Sequence, residues 1–399
     1  MYTPSNTILQ KYAEVMIDFA LHSGKGIKKN DVVLIAGTTV VLPMLRALYT
    51  RVLKSGGHPI LNIQDDECKK QFFLTADEKQ LTFFPEQYYK GIAGQIQHWI
   101  RVLGEEDPFF LKNVNPARLM QANKAVKPFR TWLDEKEDTG KFTWTLCLYG
   151  TEATAAEAGI SIQTYWNEII NACFLKDKNP AASWKKVYTE LYRTLTKLNN
   201  LDIQKLHITA DGTDLSVTVG QKRRWLGGRG RNIPSFEIFT SPDWRHTEGK
   251  VRFDLPLYRY GSIIRDIDLV FTKGRITNAS AKKNNKLLTE MIQQKNADRI
   301  GEFSLTDRRF SRISRFMANT LYDENFGGKY GNMHLAVGKA YNDTFSGNIR
   351  RLTPALKTKL GFNDSPEHTD IIATTPRTVE AVDARGRTKV IYRDGMFRI

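Results

Sequence analysis

Three cysteines in 399 residues, Cys68, Cys147 and Cys173, are too few and too irregularly spaced for a disulfide framework or a cysteine-held zinc site. Any metal must therefore be held by histidine and carboxylates. No apolar run approaches the length of a membrane span, and Met1–Tyr12 lacks the basic-then-apolar layout of a signal peptide. A cytoplasmic address with no membrane partner is the expectation. Internal repeats and low-complexity tracts are also missing, which removes solenoids and disordered scaffolds from consideration.

Acidic residues are outnumbered by basic ones, 43 against 59, giving a net charge of +16. Such an excess favours anionic partners. Yet the basic clusters Lys222–Arg231 and Arg308–Arg315 contain only Trp225 and Phe310 as aromatics, so no regular stacking platform for single strands is visible. A solvated basic surface is the expected reading, and a nucleic-acid-binding protein without catalysis is kept as the alternative from another class.

The chain is longer than one hydrophobic core usually serves, so two domains are expected, 1–200 and 201–399. In the first, Leu9–His22 reads as an amphipathic helix and Asp31–Ala36 as a buried strand. Leu42–Ser55 is a second helix with Leu42, Leu45, Leu48, Val52 and Leu53 on one face, ended by Gly56-Gly57, and Pro59–Ile63 resumes strand character. Strand, helix and strand in that order predict an α/β domain with a parallel sheet, continued by strands near Ile96–Leu103 and Thr143–Tyr149. A helix-rich connector follows from Glu152 through Leu198. Gly37–Val41 lacks a dinucleotide glycine pattern, and no convergent polar set is visible in this half, so a structural role is expected for it.

From His207 onward the period shortens. Leu206–Ala210, Asp214–Val219, Val251–Leu255, Ile263–Phe271 and Arg275–Ser280 read as strands, Asn285–Lys295 as a helix, and Asp394-Gly395 as a hairpin turn. The prediction is an α+β, strand-rich C-terminal domain. Gly227-Gly228-Arg229-Gly230 has no Lys-Ser/Thr pair after it and is read as a turn.

Several polar residues stand in unusual company. His368 and Asp370 lie two apart before Ile371-Ile372, a spacing that on a strand turns both side chains to one face, where imidazole and carboxylate could bind a metal together. His334 and Tyr341 are seven apart, two turns if the segment is helical. Glu237 is boxed by Phe236, Ile238 and Phe239, Glu302 stands between Gly301 and Phe303, and Glu324 is a third carboxylate of this kind. A glutamate in such surroundings either points to solvent or, if buried, needs a cation beside it.

In order and context these pieces resemble the thermophilic metallo-aminopeptidases. The resemblance rests on Arg231–Asp243, which reads Asn-x-Pro-x-x-Glu-x-Phe-Thr-x-Pro-Asp from Asn232, then Glu248-Gly249, Gly301–Leu305, Asn319–Asn325, His334–Gly338 with Tyr341, and His368-x-Asp370. It implies that Glu237, Glu302, Glu324, His334, His368 and Asp370 hold two divalent metals, zinc or cobalt, with manganese or magnesium as the alternatives. Glu302 would be the bridge. It also implies a homodimer acting on peptides with a free N-terminus, with Tyr341 beside the ligands or at the transition state. A carboxylate must then move the water's proton to the leaving amine, Glu302 ahead of Glu237, and Tyr341 could donate to the tetrahedral oxyanion. Four carboxylates and two imidazoles suit paired ions, which lower the pKa of a shared water and polarise a carbonyl. A two-metal phosphoesterase is the remaining alternative.

Overall fold

The computed structural model describes residues 2–399. Val32–Thr38 is the strand around which the first sheet is built, with His58–Gln64 on one side and His98–Leu103, Thr143–Leu148 and the two-residue Asn232–Ile233 on the other, every pairing parallel. Parallel strands need crossovers. The first is the helix Leu42–Lys54, which buries Met44, Leu45, Ala47, Leu48 and Val52. Leu53, expected on that face, is 53% exposed, because it lies a further 100° around the axis from Val52 and off the stripe that Leu45, Leu48 and Val52 define.

The N-terminal helix differs from its expectation in a way that matters later. It starts at Asn6, capped by Ser5 Oγ, which accepts from the Ile8 amide at 3.3 Å, and is α-helical only to Val15. The backbone then widens through Met16–Ala20 and tightens through Leu21–Ser23, over a run in which Met16, Ile17, Phe19, Ala20 and Leu21 are all buried. That is a broader apolar surface than one helical stripe can carry. The segment ends with His22 and Ser23 in the left-handed region, at φ 51° and 53°.

The chain divides into two units, Met1–Lys185 with Arg229–Pro234, and Lys186–Gly228 with Ser235–Ile399. These bounds depart from a division at 200. The change of unit falls inside the helix Pro180–Asn199, where no turn residue marks it, and Arg229–Pro234 returns to the first unit, where Asn232–Ile233 extends the parallel sheet. A return this short has no periodicity to read.

The second unit is built from antiparallel strands. Its larger sheet runs in the order Leu257–Arg259, Ser262–Thr272, Glu248–Phe253, Thr213–Thr218, Ile203–Ala210, Arg377–Asp383, Thr388–Arg393 and Met396–Phe397, with Arg275–Lys283 also paired to Ser262–Thr272. Asp394 and Gly395, at φ 51° and 82°, make the two-residue hairpin expected from their sequence. The smaller sheet has the order His368–Ala373, Asn332–Gly338, Ile300–Thr306, Glu237–Thr240 and Leu226–Gly227. Its central strands, Ile300–Thr306 and Asn332–Gly338, are buried at every residue.

Some of the arginines in the basic clusters are tied into this unit. Arg223 donates to Ser241 O at 2.6 Å and Leu360 O at 2.8 Å and stacks over Phe362, while Arg308 donates to Lys329 O at 2.9 Å. Guanidinium groups committed to loop carbonyls hold the fold rather than an external phosphate. Among the described residues no helix is long and apolar enough to cross a membrane.

The cysteines are all free, Cys68 exposed and Cys147 and Cys173 buried, and burial pushes the Cys147 thiol well up. An aromatic disulfide reagent should therefore titrate one thiol of the native chain and all three only after unfolding. Cys68 itself should react slowly at neutral pH, because its hydrogen bond to Asp65 raises its pKa. Fast reaction of two or more thiols would contradict the buried placement.

Candidate metal centre

The pleat of the smaller sheet explains how distant residues meet. Side chains alternate along each strand, and directly paired residues of antiparallel strands share a face. Ala336 pairs with Glu302 on one side and Asp370 on the other. Ser304 pairs with His334, Gly338 with His368, and Thr306 with Glu237. One face of the sheet therefore carries Glu237, Glu302, His334, His368 and Asp370. The opposite face carries Ile238, Phe303, Leu305, Met333, Leu335, Val337 and Ile371, all buried. The sixth residue, Glu324, comes from outside the sheet as the C-cap of the short helix Thr320–Asp323.

The His368-x-Asp370 spacing acts as expected, with His368 Nε2 3.6 Å from Asp370 Oδ1. The helical reading of His334–Tyr341 is wrong. His334 lies on the strand Asn332–Gly338, and Tyr341 follows it beyond the strand, on a loop held by donation from the Tyr341 amide to Ser241 Oγ at 2.9 Å. Tyr341 still reaches the site, its ring centroid 4.7 Å from that of His368. An apolar run containing Val337 after His334 fits a strand better than a helix.

His334 is the centre of the cluster and is fully buried. Its Nε2 lies 3.2 Å from Glu302 Oε1, 3.4 Å from Glu237 Oε2 and 3.9 Å from Asp370 Oδ1. On the other side Nδ1 is 3.4 Å from Asn332 Oδ1. The Asn332 amide is oriented by donating to Glu324 O at 3.0 Å and Phe326 O at 2.7 Å, so its oxygen faces the ring and Nδ1 carries the hydrogen. In the neutral ring Nε2 then presents a lone pair to three carboxylate oxygens. That arrangement is repulsive unless a proton or a cation lies among them.

The protonation pattern expresses the same demand. Burial pulls His334 down, but its hydrogen bonds to Glu237 and Glu302 and the charge of Asp370 hold it well above the usual imidazole range. Burial pushes the Glu302 carboxyl up to about 7, against its His334 hydrogen bond and with the charges of Glu237 and Asp370. Glu324 is raised by burial first and then by Glu237 and Asp370. Glu302 Oε2 is buried with no hydrogen-bond partner among the described residues. Glu237, Glu302 and His334 each offer a ligand atom, all within 4.8 Å of one another. Carboxylate and imidazole donors at that spacing fit borderline divalent ions.

Three supporting residues escaped the sequence reading. Asn332 could have been found, since it sits two positions before His334 and so on the same strand face. Asn325 accepts from the Phe236 amide at 2.5 Å and donates to Glu324 Oε1 at 3.2 Å, tying the Glu237 strand to the Glu324 turn. Glu367 takes Arg259 at 2.5 Å and Tyr260 at 2.7 Å as donors next to His368. The last two contacts bridge long sequence separations and leave no local pattern.

Comparison with known proteins follows the same lines. The family described as thermophilic metalloprotease (M29) matches residues 5–397. Aminopeptidase AmpS of Bacillus subtilis (strain 168) is 27% identical, with 97% of each chain covered, and aminopeptidase T of Thermus thermophilus is 26% identical over 96% of this chain and 95% of that one. The solved structure of wild-type AmpT from Thermus thermophilus has the same fold, with a TM-score of 0.82 at 24% identity, covering 98% of this chain and 99% of that one.

Gly301 gives the cluster a sharp test. The pairing shifts by one residue between Ile300 and Glu302, a bulge at Gly301 that aims Glu302 into the polar face. A Cβ at Gly301 would run into the Gly338 and Lys339 carbonyls. Gly301→Ala should therefore weaken zinc binding roughly 10–100-fold by displacing Glu302, as read by calorimetric titration of the chelated protein. Unchanged affinity would show that the bulge does not position this carboxylate.

Proposed function

This chain belongs to the thermophilic metalloprotease (M29) family, and from that premise we propose that it is a metal-dependent aminopeptidase removing N-terminal residues from peptides at the polar face of the smaller sheet. The observation that carries the proposal is the His334 Nε2 lone pair set against three carboxylate oxygens at 3.2, 3.4 and 3.9 Å. Relatives matched over nearly their whole length and named aminopeptidases support the substrate class.

In this reading Glu237, Glu302, Glu324, His334, His368 and Asp370 would hold two divalent ions, zinc or cobalt, and the second unit is the catalytic one. When bound, such ions supply Lewis acidity toward a carbonyl and lower the pKa of a water. The chain's own groups do the rest. His368 Nδ1 donates to Lys339 O at 2.8 Å, which fixes its tautomer and turns Nε2 toward Asp370. Asn332 fixes His334 in the same sense. Glu302 takes a proton from the attacking water and returns it to the leaving amine, with Glu237 the second candidate for that role.

Tyr341 is the donor to the developing oxyanion. Its phenol is pushed up by burial and by the charges of Glu302, Asp370, Glu324 and Glu237. The residue is 41% exposed, so its hydroxyl, protonated at neutral pH, can donate while its edge meets entering substrate. Homodimerisation, on the strength of the sequence resemblance, and a cytoplasmic address complete the proposal.

The test is hydrolysis of aminoacyl p-nitroanilides, with N-acetylated controls and phosphate monoesters, after chelation and after adding back zinc, cobalt or manganese. Cleavage should require both a free α-amine and metal, and should fall by roughly 10²–10⁴-fold in Glu302→Gln and in His368→Ala. Cleavage of the phosphate esters alone would turn the reading to a two-metal phosphoesterase.

A further inference from the structure

The first unit was expected to carry no convergent polar set, yet it brings together His22, Asp31 and His98. These residues come from the end of the N-terminal helix, the residue before the first strand and the start of a neighbouring strand. Each offers a ligand atom, all within 4.8 Å of one another. His98 is fully buried and Asp31 is mostly so, with 14% of its side chain exposed.

The outer nitrogens of both imidazoles are engaged. His22 Nδ1 lies 3.0 Å from Gly26 O, and a carbonyl only accepts, so Nδ1 carries the hydrogen and Nε2 is left with its lone pair. His98 Nδ1 lies 2.8 Å from Thr143 Oγ1, which also accepts from the His22 amide at 3.4 Å. His98 Nε2 lies 2.9 Å from Asp31 Oδ2, and the same carboxylate oxygen accepts from the Lys28 amide at 2.6 Å. The two rings stand edge to face with centroids 4.6 Å apart.

A buried Asp–His pair alone would account for His98 and Asp31. It does not account for His22, a β-carbon-bearing residue held at φ 51° so that a second imidazole, its tautomer already set for ligation, meets the pair. Metal-binding histidines usually donate their other N–H to a carbonyl or hydroxyl, as both rings can here.

We propose that His22, Asp31 and His98 form a separate site for a zinc-class divalent ion, bound through His22 Nε2, His98 Nε2 and Asp31 Oδ2, which clamps the end of the N-terminal helix to the parallel sheet. Two imidazoles and one carboxylate select zinc, cobalt or nickel over magnesium and calcium. Three protein ligands leave a fourth position open, and the supporting contacts, Gly26 O and Thr143 Oγ1, lie in the same unit. This role does not depend on the aminopeptidase reading.

The experiment is zinc counting by plasma mass spectrometry on the full chain after equilibrium dialysis, comparing the natural sequence with His22→Gln. His22→Gln leaves the His98–Asp31 pair in place and should bind one ion fewer per chain, with a lower zinc-induced rise in Tm and unaltered peptide hydrolysis. The same loss of one ion should appear when His22→Gln is made in a Glu302→Ala His368→Ala background, which separates this site from the one on the smaller sheet. Should His22→Gln not fold, Asp31→Asn carries the same comparison. Equal zinc content in both chains, in either background, would overturn the proposal and leave an Asp–His pair of purely structural use.

Discussion

A fully buried imidazole facing three carboxylate oxygens is the constraint on which the second unit turns. Neither burial nor charge is unusual alone. Their combination is, because removing carboxylates from water disfavours their ionised form while crowding them raises the cost further. Without a metal, the cluster can only relieve this by taking up protons, and the raised Glu302, Glu324 and His334 values are that relief. Divalent ions would do the same work with the carboxylates ionised. Supporting contacts such as Asn332 to His334 and Asn325 to Glu324 make sense as devices that hold like charges together against their mutual repulsion.

The rest of the smaller sheet is arranged to permit this. Its apolar face is continuous, with Phe303, Leu305, Leu335 and Val337 among its buried residues, and this burial supplies the stability that the polar face cannot. The parallel sheet of the first unit has a different economy, since Val33, Leu34 and Ile35 are all buried in succession, as strands covered on both faces require.

Much of this was legible in the sequence where a local period exists. The parallel order followed from strand, helix and strand around Leu42–Lys54, and the same-face placement of His368 and Asp370 followed from their spacing of two. The failures also have local causes. Leu53 matches the stripe in chemistry, but its angle excludes it. The seven-residue spacing of His334 and Tyr341 suits a helix, but Val337 between them favours the strand that forms. What could not be read was convergence across long separations. Asn325 meeting Phe236, or His22 meeting His98, depends on tertiary packing that leaves no spacing behind. The family resemblance named the six residues of the polar face, but their common orientation came from the strand pairing.

The bulge at Gly301 has an evolutionary corollary. Because the strands of the smaller sheet are polar on one face and greasy on the other, and alternate with a period of two, inserting or deleting a single residue within them exchanges the two faces from that point on. A change of length is therefore tolerable in the connections, such as the glycine-containing stretch between Glu324 and His334, whose ends are pinned by Asn325 and Asn332. A change of length in the loops between the six residues leaves their common face intact, whereas one between Gly301 and Thr306 or between Asn332 and Gly338 does not.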